Sequence, residues 1–189
     1  MTLHDEYFQA LEFAGKIHAK QKRGNGDPYI FHCVRVSQIL AMTPLPADMT
    51  PLRHKLIHAG ILHDCIEDCD KNVAAFVEAE IIRIFGSFVA GIVKEVTQDR
   101  SLETAPRRKK MVDECGAESL HAQILKLADR LDNCSEMNGM SEKFILRYLE
   151  ETPVMLRNME AGCLACPSLK QRIEAIINPM IAERKYERT

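Results

Sequence analysis

Two imidazoles and two aspartates stand in the order His32, His63-Asp64, Asp129, each within an apolar stretch of helical spacing. His63 and Asp64 read as mid-helix, inside Ala59-Gly60-Ile61-Leu62-His63-Asp64-Cys65-Ile66. A buried, unpaired carboxylate is costly, so Asp64 calls for a cation or for donors. A divalent metal satisfies both residues together. Histidine with carboxylate suits manganese, iron or zinc, and the lack of thiolate at these positions speaks against a structural zinc site. One turn further on, Glu67 follows His63 and Asp68 follows Asp64 at i,i+4, which stacks side chains on one helix face. Carboxylates so placed can hold or deprotonate water or assist a leaving group. Asp129 and Asn133 repeat the i,i+4 spacing later in the chain. Each piece alone has an ordinary structural explanation: a satisfied core histidine, a solvated acidic face, or a surface Asp129-Arg130 pair worth little. Together they point to a metal in a helical cleft and to hydrolysis of phosphate esters.

The elements that must position these residues read as almost all helix, since no stretch alternates apolar and polar residues for long. A first helix spans about Asp5 to Arg23, with Phe8, Leu11, Ala14 and Ile17 on one face, and Gly24-Asn25-Gly26-Asp27-Pro28 breaks it. A second covers about Tyr29 to Met42. Thr50-Pro51 signals an N-cap followed by Pro, opening a third helix that runs through Asp68. Two more cover about Asn72 to Phe85 and Phe88 to Gln98. A polar loop from Asp99 to Pro106 precedes a sixth helix opened by Arg107-Arg108-Lys109-Lys110 and broken by Gly116. The seventh spans about Glu118 to Glu136. The eighth begins at Ser141, and Pro153 inside it should kink or divide it. The last covers about Ser168 to Lys185. The expected architecture is all-α: one compact domain over residues 1–189, its motifs within about 5–160 and its C-terminal helices, 141–189, packing on them.

Composition restricts the partners. The net charge of −2 over 189 residues implies no strong field for DNA, RNA or membrane. The acidic start, Met1 to Glu6, lacks the apolar run of a secretory signal. Val73 to Phe85 is too short and too charged to cross a bilayer. Seven cysteines, an odd number, read as free thiols of a reducing, cytoplasmic compartment. Cys163 and Cys166 form a lone CxxC before Pro167, read as small buried side chains near a helix break.

Several segments occur together: Gln21-Lys22-Arg23 with Pro28-Tyr29-Ile30-Phe31-His32, Leu62 to Asp68, Phe85-Gly86, Glu95 to Asp99, and Lys126 to Asn133. In this order they resemble the HD-domain metal-dependent phosphohydrolases. They resemble more closely the alarmone hydrolase domain of RelA/SpoT-type enzymes and the stand-alone small alarmone hydrolases. The resemblance covers about residues 5 to 160. It implies a helical fold binding Mn2+ through His32, His63, Asp64 and Asp129. Glu67 and Asp68 would position and activate water, Asn133 would order that water or the nucleotide, and Arg23 would lie against the base. The implied reaction removes pyrophosphate from the 3′ position of (p)ppGpp, giving GDP or GTP.

The sequence also departs from the family pattern. A Pro-containing loop between His32 and His63 is long, and an insertion lies between Asp68 and Gly86. Asp132 stands where His or Tyr is frequent, and Cys134-Ser135-Glu136-Met137 replaces a segment that commonly carries Arg. Without a synthetase region, alarmone synthesis is not expected. The basic run Arg107 to Lys110 reads equally as a phosphate contact or as a solvated helix start. Two rivals stand beside the alarmone reading. One is an HD enzyme acting on NADPH or a nucleoside monophosphate. The other is a non-catalytic nucleotide-sensing or partner-binding domain, against which the intact Glu67 and Asp68 speak. Oligomeric state is left open.

Overall fold

The first helix, α1 (Leu3–Ile17), stops at Ile17 rather than near Arg23 in the computed structural model, which describes residues 3–186. Gln21 to Tyr29 instead fold back on themselves. Arg23 N donates to Asp27 O at 2.8 Å, Tyr29 N donates to Gln21 O at 3.0 Å, and Lys22 and Pro28 form an isolated antiparallel bridge. Gly26 makes the turn possible at φ 93°, a conformation that costs residues with a Cβ. The readings that involve Met1, Thr2 and residues 187–189 lie outside the described residues.

Helix α2 (Ile30–Met42) buries His32, Cys33, Val36, Ser37 and Leu40 against α3 (Arg53–Leu62). Gly60 permits the close approach. A Cβ there would meet Leu40 Cδ1 at 2.7 Å and Ser37 Cα at 3.2 Å. Helix α3 ends at Leu62, and a short α4 (Cys65–Asp68) follows a turn at His63-Asp64, so the expected single helix through Asp68 is two. Helices α5 (Ala74–Phe85) and α6 (Ser87–Val96) meet at Gly86, whose φ of 87° ends one and opens the other. Helix α7 (Thr104–Glu114) begins before the basic run. Pro106 sits in its first turn, where its missing N–H leaves no hydrogen bond broken.

Helix α8 (Leu120–Ser135) is the central element, touching α2, α3, α6, α10 and α11. Ser119 caps it by accepting from Ala122 N at 3.3 Å. Helix α9 (Glu142–Asn158) passes through Pro153 undivided, held by Leu149, Thr152, Met155 and Leu156 buried on both sides of it. The division falls instead at Met159, where α10 (Glu160–Ala165) begins, followed by α11 (Pro167–Tyr186). Cys163 and Cys166 are buried at that second break, as read from the sequence. One contiguous apolar cluster runs from Ala10 of α1 to Ile177 of α11. The fold is all-α, with no named strand among the described residues. No helix among them is long and apolar enough to cross a membrane.

Candidate metal centre and active site

The break between α3 and α4 sets the geometry of the centre. In an unbroken helix, consecutive side chains diverge by about 100°. Here Asp64 turns at φ −97°, ψ −2°, and its Oδ2 comes to 3.0 Å from His63 Nε2. The mid-helix placement expected for this pair is therefore corrected: the pair occupies a turn, and the turn makes the two side chains converge. Helix α2 brings His32 Nε2 to 3.7 Å from Asp64 Oδ2, and α8 brings Asp129 Oδ1 to 3.1 Å from His32 Nε2 and 3.8 Å from His63 Nε2. His32, His63 and Asp129 offer atoms all within 4.8 Å of one another, and Asp64 flanks the two rings, 3.0 Å from His63 Nε2 and 3.7 Å from His32 Nε2.

The donor set fits a divalent ion. Edges of 3.0–3.8 Å accommodate a cation bound at about 2.1 Å. Both rings present Nε2 to the centre because Nδ1 is engaged elsewhere. His63 Nδ1 donates to Gly60 O at 2.9 Å, and His32 Nδ1 lies 2.7 Å from Asp132 Oδ2. His63 Nε2 is buried and makes no well-aligned hydrogen bond, although Asp64 Oδ2 lies 3.0 Å away, so it stays available to a cation. Burial opposes charging His63, but Asp64 and then Asp129 outweigh it and push its pKa up to about 10. Burial would raise Asp64, yet His63, His32 and the Tyr29 hydroxyl hold it well below the usual carboxylate range. The pocket thus concentrates negative charge where a cation would sit.

Glu67 and Asp68 stand beside this cluster on α4. Glu67 Oε2 accepts from Gln98 N at 2.9 Å, and Arg100 Nη2 lies 3.5 Å from its Oε1. Asp68 accepts from Gln21 Nε2 at 2.6 Å and from Arg100. Burial and the neighbouring Asp64 raise the Glu67 pKa, a direction suited to exchanging protons with water. Arg23 donates to Asn133 Oδ1 at 2.8 Å, and Asn133 donates to Asp129 Oδ1 at 2.6 Å. An outer cleft of about 500 Å³ opens over these groups, walled on one side by Phe144 and Tyr148, stacked 4.3 Å apart. All eight residues singled out from the sequence therefore gather at one place: the four candidate ligands, Glu67, Asp68, Arg23 and Asn133.

Sequence reasoning missed others. Tyr29 donates to Asp64 Oδ2 at 2.5 Å, and Arg35 Nε donates to Asp132 Oδ1 at 2.6 Å. Asp132, read only as a departure from the family pattern, is a buried partner of His32. Its i,i+3 spacing from Asp129 was the available signal. The basic run does not reach the cleft. Arg107 and Lys110 face a pocket with Glu114 and Glu118, while Arg108 and Lys109 line a groove with Arg147 and Glu150. A hollow of about 910 Å³ among α9, α10 and α11 contains none of the predicted site residues.

A helical frame carrying His, His-Asp and Asp at one centre defines a class. The chain belongs to the HD domain family, which matches residues 10–153, and is by family an enzyme of the HD phosphohydrolase class. Among relatives, it is 34% identical over 172 residues to guanosine-3′,5′-bis(diphosphate) 3′-pyrophosphohydrolase MESH1 of Danio rerio, covering 87% of this chain and 90% of that one. It is 34% identical over 134 residues to the protein of the same name from Drosophila melanogaster, covering 70% and 69%. A solved structure described as "a metazoan ortholog of SpoT" that hydrolyzes ppGpp superposes with a TM-score of 0.77 at 25% identity, over 93% of this chain and 95% of that one. The RelA/SpoT-like resemblance read from the motifs is thereby shown.

Proposed function

We propose that this protein is a Mn2+-dependent hydrolase of the 3′-pyrophosphate of (p)ppGpp, releasing pyrophosphate and GDP or GTP. The observation that carries the reading is a juxtaposition. Two imidazoles and two aspartates that could hold a metal lie beside two further carboxylates at the floor of a cleft lined by Arg23, Asn133 and a stacked aromatic pair. The naming of the relatives from fish and fly supports the substrate.

His32, His63, Asp64 and Asp129 would hold the ion. When bound, it lowers the pKa of water and neutralises charge on the attacked phosphate. Two imidazoles with two carboxylates suit manganese, iron or zinc, of which we take manganese. Tyr29 and Asn133 orient the ligand carboxylates, and Asp132 fixes the His32 ring. Glu67 takes a proton from water as its oxygen bonds to the phosphorus attached to the ribose 3′ oxygen. The P–O3′ bond breaks, and the 3′ oxygen takes up a proton from solvent, with Asp68 positioning water beside Glu67. The products are a nucleotide with a free 3′ hydroxyl and pyrophosphate. Arg23, with its guanidinium 5.8 Å from the centre of the Tyr29 ring, offers a planar surface for the base.

We take residues 1–189 as one hydrolase domain, with α9 to α11 completing the cleft wall and its support. We place it in the cytoplasm, in keeping with seven cysteines that are all free. The test is a substrate panel with Mn2+. Pyrophosphate released from ppGpp is the expected result. Inorganic phosphate released from NADPH or a nucleoside monophosphate, with ppGpp untouched, would replace this substrate. No turnover across the panel would leave a binding domain.

A further inference from the structure

Behind the ligand cluster lies an inner cavity of about 70 Å³. It shares Asp64, Glu67, Asp129 and Tyr148 with the outer cleft, so a ligand passing the cluster enters it. At roughly 30 Å³ per water, the space suits one phosphate-sized group and no second nucleotide. Its inner wall carries Lys126 and Arg130, 8% and 3% exposed.

Arg130 is the unusual member. Its Nε and Nη1 are buried with no hydrogen-bond partner among the described residues. The Glu151 carboxylate comes no nearer to Nη1 than 3.9 Å. Nη2 meets the Met155 sulfur, and the guanidinium lies 4.3 Å from the centre of the Tyr148 ring. Lys126, by contrast, is paired with Glu118. Unmet donors on a buried charge are expensive, and a packed apolar side chain would serve the core better. A guanidinium held in place by a ring and a thioether, with donors to spare, suits a phosphate.

Combined with the hydrolase reading above, on which this rests, the position has a consequence. With the base at Arg23 in the outer cleft and the scissile phosphorus at the ligand cluster, any phosphate beyond the scissile one points inward. We infer that the inner cavity is a subsite for the distal phosphate of a diphosphate-ended ester, with Arg130 as its recognition residue. The cavity then selects diphosphate esters over monophosphate esters of the same nucleoside.

Two measurements on the full-length, Mn2+-loaded protein test this. The first compares kcat/KM on guanosine 5′-diphosphate carrying a 3′-diphosphate or a 3′-monophosphate. The second measures binding of inorganic pyrophosphate and of orthophosphate by calorimetry. Wild type should favour the diphosphate ester and pyrophosphate by tenfold or more. Arg130→Met should bring both ratios close to one. Arg130→Lys, which keeps the charge and loses the fork, should give intermediate ratios and serves if Arg130→Met does not fold. An equal fall on both esters, or pyrophosphate binding that does not move relative to orthophosphate, would reduce Arg130 to a packing role and overturn the subsite. If wild type hydrolyses neither guanosine ester, the functional reading fails, while the pyrophosphate-to-orthophosphate binding ratio still decides the subsite.

Discussion

His58 and His63 lie within two turns of each other, one inside α3 and one just past its end, and both are buried. Their chemistry is opposite. At His58 burial dominates and pushes the pKa down to about 4, with only Glu6, 3.8 Å away, opposing it. At His63 two carboxylates converge, and the pKa goes up to about 10. Residue type and burial are shared, so neither makes the site. What differs is the turn after Leu62, which folds Asp64 back onto the ring, and α8, which brings Asp129 alongside.

The sharpest way to break this contrast is Asp64→Ala. Removing the nearest carboxylate should make His63 resemble His58, with metal content and turnover both falling to background in elemental analysis and rate measurements. Glu67→Ala separates holding the ion from using it. Metal should stay bound while the rate drops by roughly 10²–10⁴-fold, the usual worth of a positioned general base. Near-normal turnover in that variant would remove Glu67 from the chemistry. Asp132→Ala leaves the four candidate ligands in place but frees the His32 ring, so metal affinity should weaken by about 10–100-fold in a calorimetric titration.

The His58 end gives a stability test. Its folded-state pKa lies below the ordinary 6.5, so the unfolded chain binds the proton first. The stability involved is fully present above pH 6.5 and is lost progressively as pH falls towards 4. At pH 5.5 the loss is about 1.4 kcal/mol, and His58→Gln should remove that part of the pH dependence in denaturant melts. The smallest effect is expected from Arg100→Ala. Arg100 bridges Glu67 and Asp68 from an exposed loop, with 40% of its side chain in solvent. Its removal should change stability by less than about 1 kcal/mol. A large loss would mean that the loop, and not α4, holds the two carboxylates.

Much of this is legible in the amino-acid order. The 3.6-residue spacing of apolar side chains marked α2, α5, α6, α8 and α11 to within a few residues; α2, α5, α6 and α11 each bury one face, whereas α8 is buried on nearly every side from Ala122 to Cys134. The misplacements have a common cause. Where α1 stops, where α3 breaks and where α9 gives way to α10 are decided by contacts with distant residues. Gln21, which would have continued the first helix, accepts from Tyr29 N and donates to Asp68 instead. Asp132 looked like an irregularity because its partners, His32 and Arg35, stand nearly a hundred positions earlier.

The amino-acid order alone determined the ligand chemistry and the all-α class, since both rest on residue type and on a period that any neighbouring turn can read. Only the tertiary structure decided that His32, His63, Asp64 and Asp129 converge, that Tyr29 and Asp132 hydrogen-bond to two of them, and that Arg130 has unpaired donors among the described residues. Those outcomes depend on distances between helices far apart in the chain, which local periodicity does not encode.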